Sequence, residues 1–246
     1  MAEEKTKTRI AAVGDLHVRD TDKGKWTDYF KEVSKKADVL IICGDLTDTG
    51  DEAEAQVLHD ELKACTIPIV GVLGNHDFEK GRQKLIRQII QQENIHILDG
   101  EAVIIDGIGF AGVKGFGGGF DNYMLSMFGE DAMKAFVQEA VNEALHLERA
   151  LTRLDASHKD IQKIAIFHYS PISATVIGEP ESIYPFLGCS RLAEPLSRIN
   201  VAAAFHGHAH TGTLEGQTAG GTKVFNVAKP ILLKAGYTFP FFVYEL

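Results

Sequence analysis

The chain has 246 residues, 45% of them hydrophobic, which is enough for a sizeable core, and we expect one α/β domain over residues 1–246. A formal net charge of -9 and a pI near 5.6 argue against nucleic acid as the partner, because neutralising phosphates requires a basic surface. The three cysteines lack the spacing of a disulfide framework, and no stretch reaches the ~18 apolar residues of a membrane span. The polar first residues do not form a signal peptide pattern, so we expect a cytoplasmic protein.

Strands and helices alternate over the first ninety residues. Short β-branched runs predict buried strands, and apolar residues spaced by three and four predict helices between them. This alternation is typical of a parallel α/β sheet with right-handed crossovers. The predicted strands cover residues 9–13, 39–43 and 68–73, and the predicted helices cover residues 23–36, 52–64 and 79–92.

The second half of the chain has a different pattern. Residues 95–113 contain two Asp-Gly turn signals, at 99–100 and 106–107, which predict an antiparallel hairpin region. Residues 130–157 lack Pro and Gly and predict one long helix packed across the sheet. Further strands are predicted at 163–167 and 201–205, a short helix at 191–199, and closing antiparallel strands at 223–226 and 239–244.

Two segments have no regular pattern. The glycine-rich segment 115–119 either forms a rim of a pocket or is a flexible connector. Residues 171–189, which contain three prolines and several aromatic residues, predict a long loop, and loops of this length are usually functional. We expect the segments 115–119 and 171–189 to shape a substrate pocket.

Five predicted strands each end at Asp, Asn or His. The motifs are GDLH at 14–17, GDLTD at 44–48, GNHD at 74–77, a single His at 168 and HGHAH at 206–210. Because the carboxyl ends of parallel strands share one edge of a sheet, we expect these side chains to converge there. The converging groups are Asp15, His17, Asp45, Asn75, His168, His208 and His210.

Oxygen and imidazole ligands without thiolates suit Mn, Fe, Zn, Ni or Mg. Seven groups are too many for one tetrahedral ion but are enough for two ions that share a carboxylate. A pair of metal ions can hold the attacking and leaving oxygens of a displacement at phosphorus. The residues themselves therefore predict hydrolysis of a phosphate ester.

The ordered motif set resembles the calcineurin-like metallophosphoesterase superfamily, and in particular its small bacterial-type phosphodiesterases. The resemblance covers residues 14–210. It implies a four-layer α/β/β/α sandwich with mixed sheets and an active site at the carboxyl ends of the strands.

The resemblance also assigns roles to individual residues. It implies that one metal takes Asp15, His17 and His210, that the other takes Asn75, His168 and His208, and that Asp45 bridges them. His76 would stabilise the transition state and protonate the leaving oxygen, and the Asp48 carboxylate would orient His76. Alternatively, Asp48 is a turn carboxylate before the next helix.

The other histidines and Asp77 receive no catalytic role. We expect His206 to line the pocket or to support a ligand, and we expect the remaining histidines, which lie outside the motifs, to be non-catalytic. These are His59, His96, His146 and His158.

The motif set predicts the chemistry but not the substrate. Thr49 and Asp77 stand where Ser/Thr protein phosphatases of the superfamily carry Arg and Glu, and His76 stands where its lipid A precursor pyrophosphatases typically have Arg. The leading hypothesis is a phosphodiesterase for a small soluble substrate, with cyclic nucleotides as candidates. The alternatives are a phosphomonoesterase, a nucleotide pyrophosphatase, or a scaffold that keeps the fold without turnover.

Overall fold

The computed structural model describes residues 7–246. Two sheets pack face to face, and helices cover the outer face of each, which is the predicted four-layer α/β/β/α sandwich. Within the described residues, no helix is both long and apolar enough to cross a bilayer. The thiols of all three cysteines are buried and free, and that of Cys43 lies in the core between the sheets.

The first sheet has five strands in the order β11-β1-β2-β3-β4, parallel except for the edge strand β11. Its central strands are fully buried, as expected for a parallel sheet with both faces covered. The strands are β1 (Arg9–Val13), β2 (Val39–Cys43), β3 (Ile69–Val72), β4 (Ile95–Leu98) and β11 (Phe242–Glu245).

The second sheet has six strands in the order β5-β6-β7-β8-β10-β9. The four central strands β6, β7, β8 and β10 are parallel, and the two edge strands are antiparallel to their neighbours. The strands are β5 (Glu101–Ile105), β6 (Ile108–Gly112), β7 (Lys163–Ile166), β8 (Ala203–His206), β9 (Glu215–Gln217) and β10 (Lys223–Asn226).

Helices flank the two sheets on opposite sides. Helices α1, α2 and α4 form the layer outside the first sheet, and the long helix α5 lies along β5 and β6 of the second. The helices are α1 (Thr27–Lys36), α2 (Glu52–Leu62), α3 (Asn75–Phe78), α4 (Gln83–Ile90), α5 (Asp131–Ser157), α6 (Tyr184–Leu187), α7 (Glu194–Arg198) and α8 (Lys229–Lys234).

The alternation of the first ninety residues is confirmed, but all three helices are shorter than predicted, α2 by two residues at its end. Gly24 has φ +82° and Gly81 has φ +66°, which a right-handed helix does not accommodate. Helix α1 therefore begins at Thr27, and the predicted helix 79–92 is reduced to α4, with α3 before Gly81.

The antiparallel region predicted for 95–113 is wrong for its first strand. β4 pairs in parallel with β3, and within residues 95–113 only β5 and β6 form a hairpin. Gly100, with φ +81°, turns the chain from the first sheet into the second instead of folding it back onto β4. The two closing strands predicted in the tail each have an antiparallel partner, because β10 pairs with β9 and β11 pairs with β1. They lie in different sheets, however, and β10 is also parallel to β8.

Two predicted segments contain more local structure than expected. Residues 171–189 include 3-10 turns at Ser173–Val176 and Glu181–Ile183, followed by α6. The predicted helix 191–199 is a 3-10 turn, Ser190–Ala193, followed by α7. Pro185 and Pro195 stand in the first turn of α6 and α7, where a missing N–H costs little.

Candidate active site

The predicted ligands meet where the carboxyl ends of both sheets come together. β1, β2 and β3 deliver residues from the first sheet, and β7 and β8 deliver residues from the second. The backbone N–H of His208 lies 3.1 Å from each carboxylate oxygen of Asp15, which joins the loops after β8 and β1. All seven groups predicted to converge lie in this region: Asp15, His17, Asp45, Asn75, His168, His208 and His210.

One half of the site consists of Asp15, His17 and His210, whose candidate ligand atoms all lie within 4.8 Å of one another. His210 Nε2 is 3.0 Å from Asp15 Oδ1. Both ring nitrogens of His17 are buried without a hydrogen-bond partner among residues 7–246. A buried imidazole without a partner is costly unless a further group, such as a metal ion, binds it.

The other half consists of Asp45, His168 and His208, again with ligand atoms within 4.8 Å, together with Asn75. His168 Nδ1 donates to the carbonyl of Cys43 at 2.9 Å, which leaves the lone pair of Nε2 directed at Asn75 Oδ1, 2.8 Å away. With this tautomer two acceptor atoms face each other, and a cation bound by both of them would offset the repulsion.

Asp45 lies between the two halves. Its Oδ2 is 3.7 Å from His17 Nε2, and its Oδ1 is 3.4 Å from His168 Nε2. Burial, together with the charges of Asp15 and Asp77, raises the pKa of Asp45 to about 9. The negative charges of the buried Asp15 and Asp45 carboxylates repel each other, and a divalent cation would offset this repulsion.

Burial holds three of the four candidate imidazole ligands in the neutral form that binds metals. Burial lowers the pKa of His17 to about 4 and lowers the pKa of His168 and of His208 as well. The hydrogen bond with Asp15 instead raises the pKa of His210. The carboxylate, amide and imidazole donors therefore fit two hard or borderline metal ions.

Four of the candidate ligands have backbone in the left-handed region. The φ angles are 60° for Asp15, 49° for His17, 49° for Asp45 and 68° for His208. Residues other than glycine adopt this region at a cost, and such residues concentrate at functional sites. The turns aim the side chains back across the edge of the sheets.

Glycines let the ligand loops approach one another. A Cβ on Gly44 would overlap the His168 ring, and one on Gly207 would overlap the Asp15 carboxylate. A Cβ on Gly74 would overlap the Asp45 carboxylate. Thus a motif glycine makes room for a ligand that belongs to another motif, a requirement that the sequence pattern alone does not reveal.

His76 lies against the first half of the site, and its ring centroid is 4.4 Å from that of His17. Its Nδ1 is 2.6 Å from the backbone carbonyl of Asp48, so the carbonyl rather than the predicted carboxylate contacts the ring. The carboxylate of Asp48 instead accepts a hydrogen bond from Arg19 Nε at 2.9 Å and lies 3.6 Å from His17 Nδ1.

Asp77, to which the sequence assigned no role, connects two of the ligand loops. It is fully buried and accepts four hydrogen bonds, from the backbone N–H groups of Leu46, Thr47 and Gly74 and from the Thr47 hydroxyl. It therefore fixes the turn carrying Asp45 against the turn carrying Asn75. Four donors around one acid could not be foreseen from the motif.

A lysine far away in sequence supports the first ligand loop. Lys229 Nζ donates to the carbonyl of Leu16 at 2.8 Å, between Asp15 and His17, and lies 5.0 Å above the ring of Trp26. Burial lowers the pKa of Lys229.

A second lysine supports the loop after β7. The carbonyl of Lys114 accepts the N–H groups of His168 and Tyr169 at 2.9 and 3.1 Å. Its buried ammonium group lies about 5 Å from the rings of Phe78, Phe116 and Tyr169. The Tyr169 ring in turn packs against His208, with centroids 4.4 Å apart.

The remaining histidines differ in their surroundings. His206 is buried and contacts the hydroxyl of Thr175 through Nε2 at 2.7 Å, so it supports the loop beside the site. His59 contacts the carbonyl of Ile89, and His158 contacts the adjacent Ser157. His96 lies in β4 and His146 is exposed on α5.

The segment 171–189 reaches the site through α6. The carbonyl of Phe186 accepts a hydrogen bond from His208 Nε2 at 3.1 Å, which leaves His208 Nδ1 for the ligand cluster. The glycine-rich segment joins it, since Gly118 N–H donates to the carbonyl of Pro185 at 2.6 Å. These contacts bring both irregular segments to the edge of the site.

The whole fold is similar to solved structures of other proteins. The phosphopantetheinyl hydrolase of Mycobacterium tuberculosis superposes with a TM-score of 0.68 at 12% identity, covering 98% of this chain and 96% of that chain. GAP50, the anchor in the inner membrane complex of Plasmodium, gives a TM-score of 0.54 at 15% identity, covering 92% and 73%. Identities this low show a shared fold. The comparison with curated proteins gave no match.

These structures do not identify the family of the chain, but comparison with family models does. The model of the calcineurin-like phosphoesterases matches residues 8–212, a range that contains every predicted ligand as well as Asp48 and His76. The matched range includes the strand ends of both sheets that meet at the site. The chain therefore belongs to the calcineurin-like phosphoesterase family.

Proposed function

We propose that this chain is a two-metal phosphodiesterase that hydrolyses a small phosphodiester in the cytoplasm. Membership of the family indicates a phosphoester hydrolase. The position of Asp45 is the main support for a two-metal site, because its carboxylate oxygens face His17 on one side and His168 on the other. Free, buried thiols are compatible with a reducing compartment.

The two halves of the site would each hold one ion. Asp15, His17 and His210 would bind the first. Asn75, His168 and His208 would bind the second, and Asp45 would bridge the two. When bound, such ions withdraw charge from the phosphoryl oxygens and make a water molecule acidic enough to attack phosphorus.

His76 is the proposed proton donor to the leaving oxygen. The carbonyl of Asp48 holds its Nδ1 as an N–H donor, so Nε2 is the nitrogen that faces a substrate and exchanges the proton. Arg19 draws the Asp48 carboxylate away from the ring. Asp48 thus acts through its backbone, and its side chain contributes to the charge around His17.

An ester of an alcohol is favoured over a pyrophosphate because His76 is retained. An alkoxide leaving group has a high proton affinity and benefits from protonation as the ester bond breaks. The structurally similar mycobacterial protein is named a phosphopantetheinyl hydrolase, which is compatible with an ester of a small organic group. Cyclic nucleotides, monoesters and nucleotide pyrophosphates are the substrates against which this proposal is compared.

The test is a panel of substrates with metal-stripped protein refilled with Mn²⁺. We expect turnover of bis(p-nitrophenyl) phosphate to exceed that of p-nitrophenyl phosphate. For a diester with an alkyl leaving group, such as a cyclic nucleotide, His76→Ala should lower kcat by about 10²–10⁴-fold while calorimetry still shows two bound Mn²⁺ ions. The loss should be smaller for bis(p-nitrophenyl) phosphate, because p-nitrophenolate leaves without protonation. The exposed His146→Ala is the matched control and should keep full activity. Turnover of monoesters alone would refute the diesterase proposal.

A scaffold without turnover is the second candidate, because the fold resembles that of GAP50, which is described as an anchor. The complete donor set argues against it. Binding of two metal ions without hydrolysis of any ester in the panel would favour the scaffold.

A further inference from the structure

A cleft of about 690 Å³ lies beside the segments that reach the site. Its walls come from the 3-10 turn Asp121–Tyr123, from the turns around Ser173 and Glu181, and from the start of α6. The side chains that define its chemistry are Phe120, Asp121, Tyr123, Ser173, Glu181 and Tyr184.

The cleft shares a wall with the ligand loop after β8. Phe120 belongs to a small apolar cluster that includes Ala209, the residue between His208 and His210, and Tyr184 packs against the same cluster. Pro185 lines the cleft, and the carbonyl of the next residue holds His208 Nε2. A substituent in the cleft would therefore extend away from a phosphate held at the metal ligands.

The chemistry of the cleft is aromatic and acidic. The rings of Phe120 and Tyr184 meet edge to face with centroids 6.2 Å apart, and Tyr123 is 87% exposed. Asp121 accepts a hydrogen bond from the Ser173 hydroxyl at 2.8 Å, and Glu181 supplies a second carboxylate. Among the residues of 7–246 that line it, none is Lys, Arg or His.

Aromatic faces beside carboxylates recognise organic cations, because the ring quadrupole and the charges attract the same group. The same walls disfavour a second phosphate or another anion, which the two carboxylates would repel. The formal net charge of -9 adds an attraction for cations at longer range.

We propose that this cleft receives the ammonium group of one ester arm of the substrate, so that the preferred phosphodiesters are esters of a choline- or ethanolamine-type amino alcohol. The inference rests on the phosphodiesterase function proposed above. In the reaction a water oxygen forms the new bond to phosphorus, one ester bond breaks, and the released alcohol oxygen takes up a proton. The ammonium group is unchanged.

Three chromogenic diesters test the proposal. The first is p-nitrophenyl phosphocholine, and the second, called the neutral ester below, is its isostere with an uncharged 3,3-dimethylbutyl arm. The third is the p-nitrophenyl ester of thymidine phosphate. We expect kcat/KM for the choline ester to exceed that for the neutral ester at least tenfold. The double variant Asp121→Asn, Glu181→Gln should reduce this ratio toward one, whereas the exposed control Asp131→Asn should keep it.

The outcomes separate this inference from the function on which it rests. Equal kcat/KM for the choline and neutral esters, or preference for the thymidine ester, would overturn the inference while leaving the diesterase function intact. If no diester is cleaved, the proposed function fails, and calorimetry with choline phosphate still tests the cleft. Binding that the double variant loses supports the inference, and the absence of binding overturns it.

Two sources could supply this ammonium group, a soluble diester and a lipid headgroup. Glycerophosphocholine in solution and vesicles of phosphatidylcholine distinguish them. Cleavage of either substrate supports the inference and identifies the source of the ammonium group. If the enzyme hydrolyses the chromogenic neutral ester but cleaves neither of these substrates, the inference is overturned.

Discussion

Glu143 offers a test of how the buried charges around the site affect stability. It lies on α5 with 6% of its surface exposed and accepts the N–H of Gly115 at 2.6 Å. Burial raises the pKa of Glu143 to about 7, although the nearby Lys114 charge and the Gly115 N–H lower it. The substitution Glu143→Gln keeps the size and an acceptor for Gly115 but removes the titration.

The sign and size of the effect follow from the two pKa values. The pKa of about 7 in the folded state lies above the ordinary value of 4.5, so the folded protein keeps a proton that the unfolded chain has released. This contribution to stability is full below the unfolded pKa and is lost as pH rises through the folded pKa. Between about pH 5.5 and about pH 8 the loss is roughly 2 kcal/mol.

Urea unfolding of the wild type and of Glu143→Gln at these two pH values measures the effect. The difference in the free energy of unfolding, wild type minus variant, should fall by roughly 2 kcal/mol from the lower to the higher pH. The partly exposed Glu139→Gln on the same helix is the control and should show no such change. A difference that stays constant with pH would refute the idea that Glu143 is protonated in the folded protein.

Four further changes address the candidate site. Asp77→Asn should lower the free energy of unfolding by about 1–3 kcal/mol, measured in urea, because an amide cannot accept all four hydrogen bonds and leaves a buried donor unpaired. Lys229→Met should weaken Mn²⁺ binding by calorimetry, because the first ligand loop loses its bond from Nζ. Asp48→Asn should lower kcat less than His76→Ala does, since the carbonyl that holds the ring remains. Chelation should lower Tm, because the buried carboxylates lose their cations.

Controls and contrary outcomes differ among these four. Lys234→Met, in the last turn of α8, removes a lysine without a bond to the ligand loops and should leave Mn²⁺ affinity unchanged. Asp77→Asn with wild-type stability would mean that the four donors find other partners. Equal losses of kcat in Asp48→Asn and His76→Ala would give the carboxylate the orienting role. A Tm insensitive to chelation would argue against metal binding in the folded protein.

The sequence predicted the features that depend on local pattern. β-branched runs and amphipathic spacing located the strands and helices near the site, and polar residues at strand ends identified the groups that converge. What the pattern missed is pairing between distant segments. β4 is as apolar as a hairpin strand, and only its hydrogen bonds to β3 show that it continues the first sheet.

The residues that support the ligand loops could not be predicted from the sequence for the same reason. Lys229 follows His17 by more than two hundred residues, and only folding brings its Nζ to Leu16. Lys114 immediately precedes the glycine-rich segment 115–119, and its carbonyl accepts the N–H groups of His168 and Tyr169. The sequence does not show which groups a charged residue contacts. The three aromatic rings near the Lys114 ammonium group and the two N–H groups bound to its carbonyl are seen only in the structure.

The left-handed turns at Asp15, His17, Asp45 and His208 have a consequence for engineering. A screen for thermostability would reward replacing each of them with glycine or asparagine, which tolerate this region better. Each such gain would remove a candidate ligand, so stabilising and activity-preserving substitutions should be mutually exclusive at these four positions. Libraries intended to make this protein more robust should keep the four turns constant and vary the helices that cover the outer faces of the sheets.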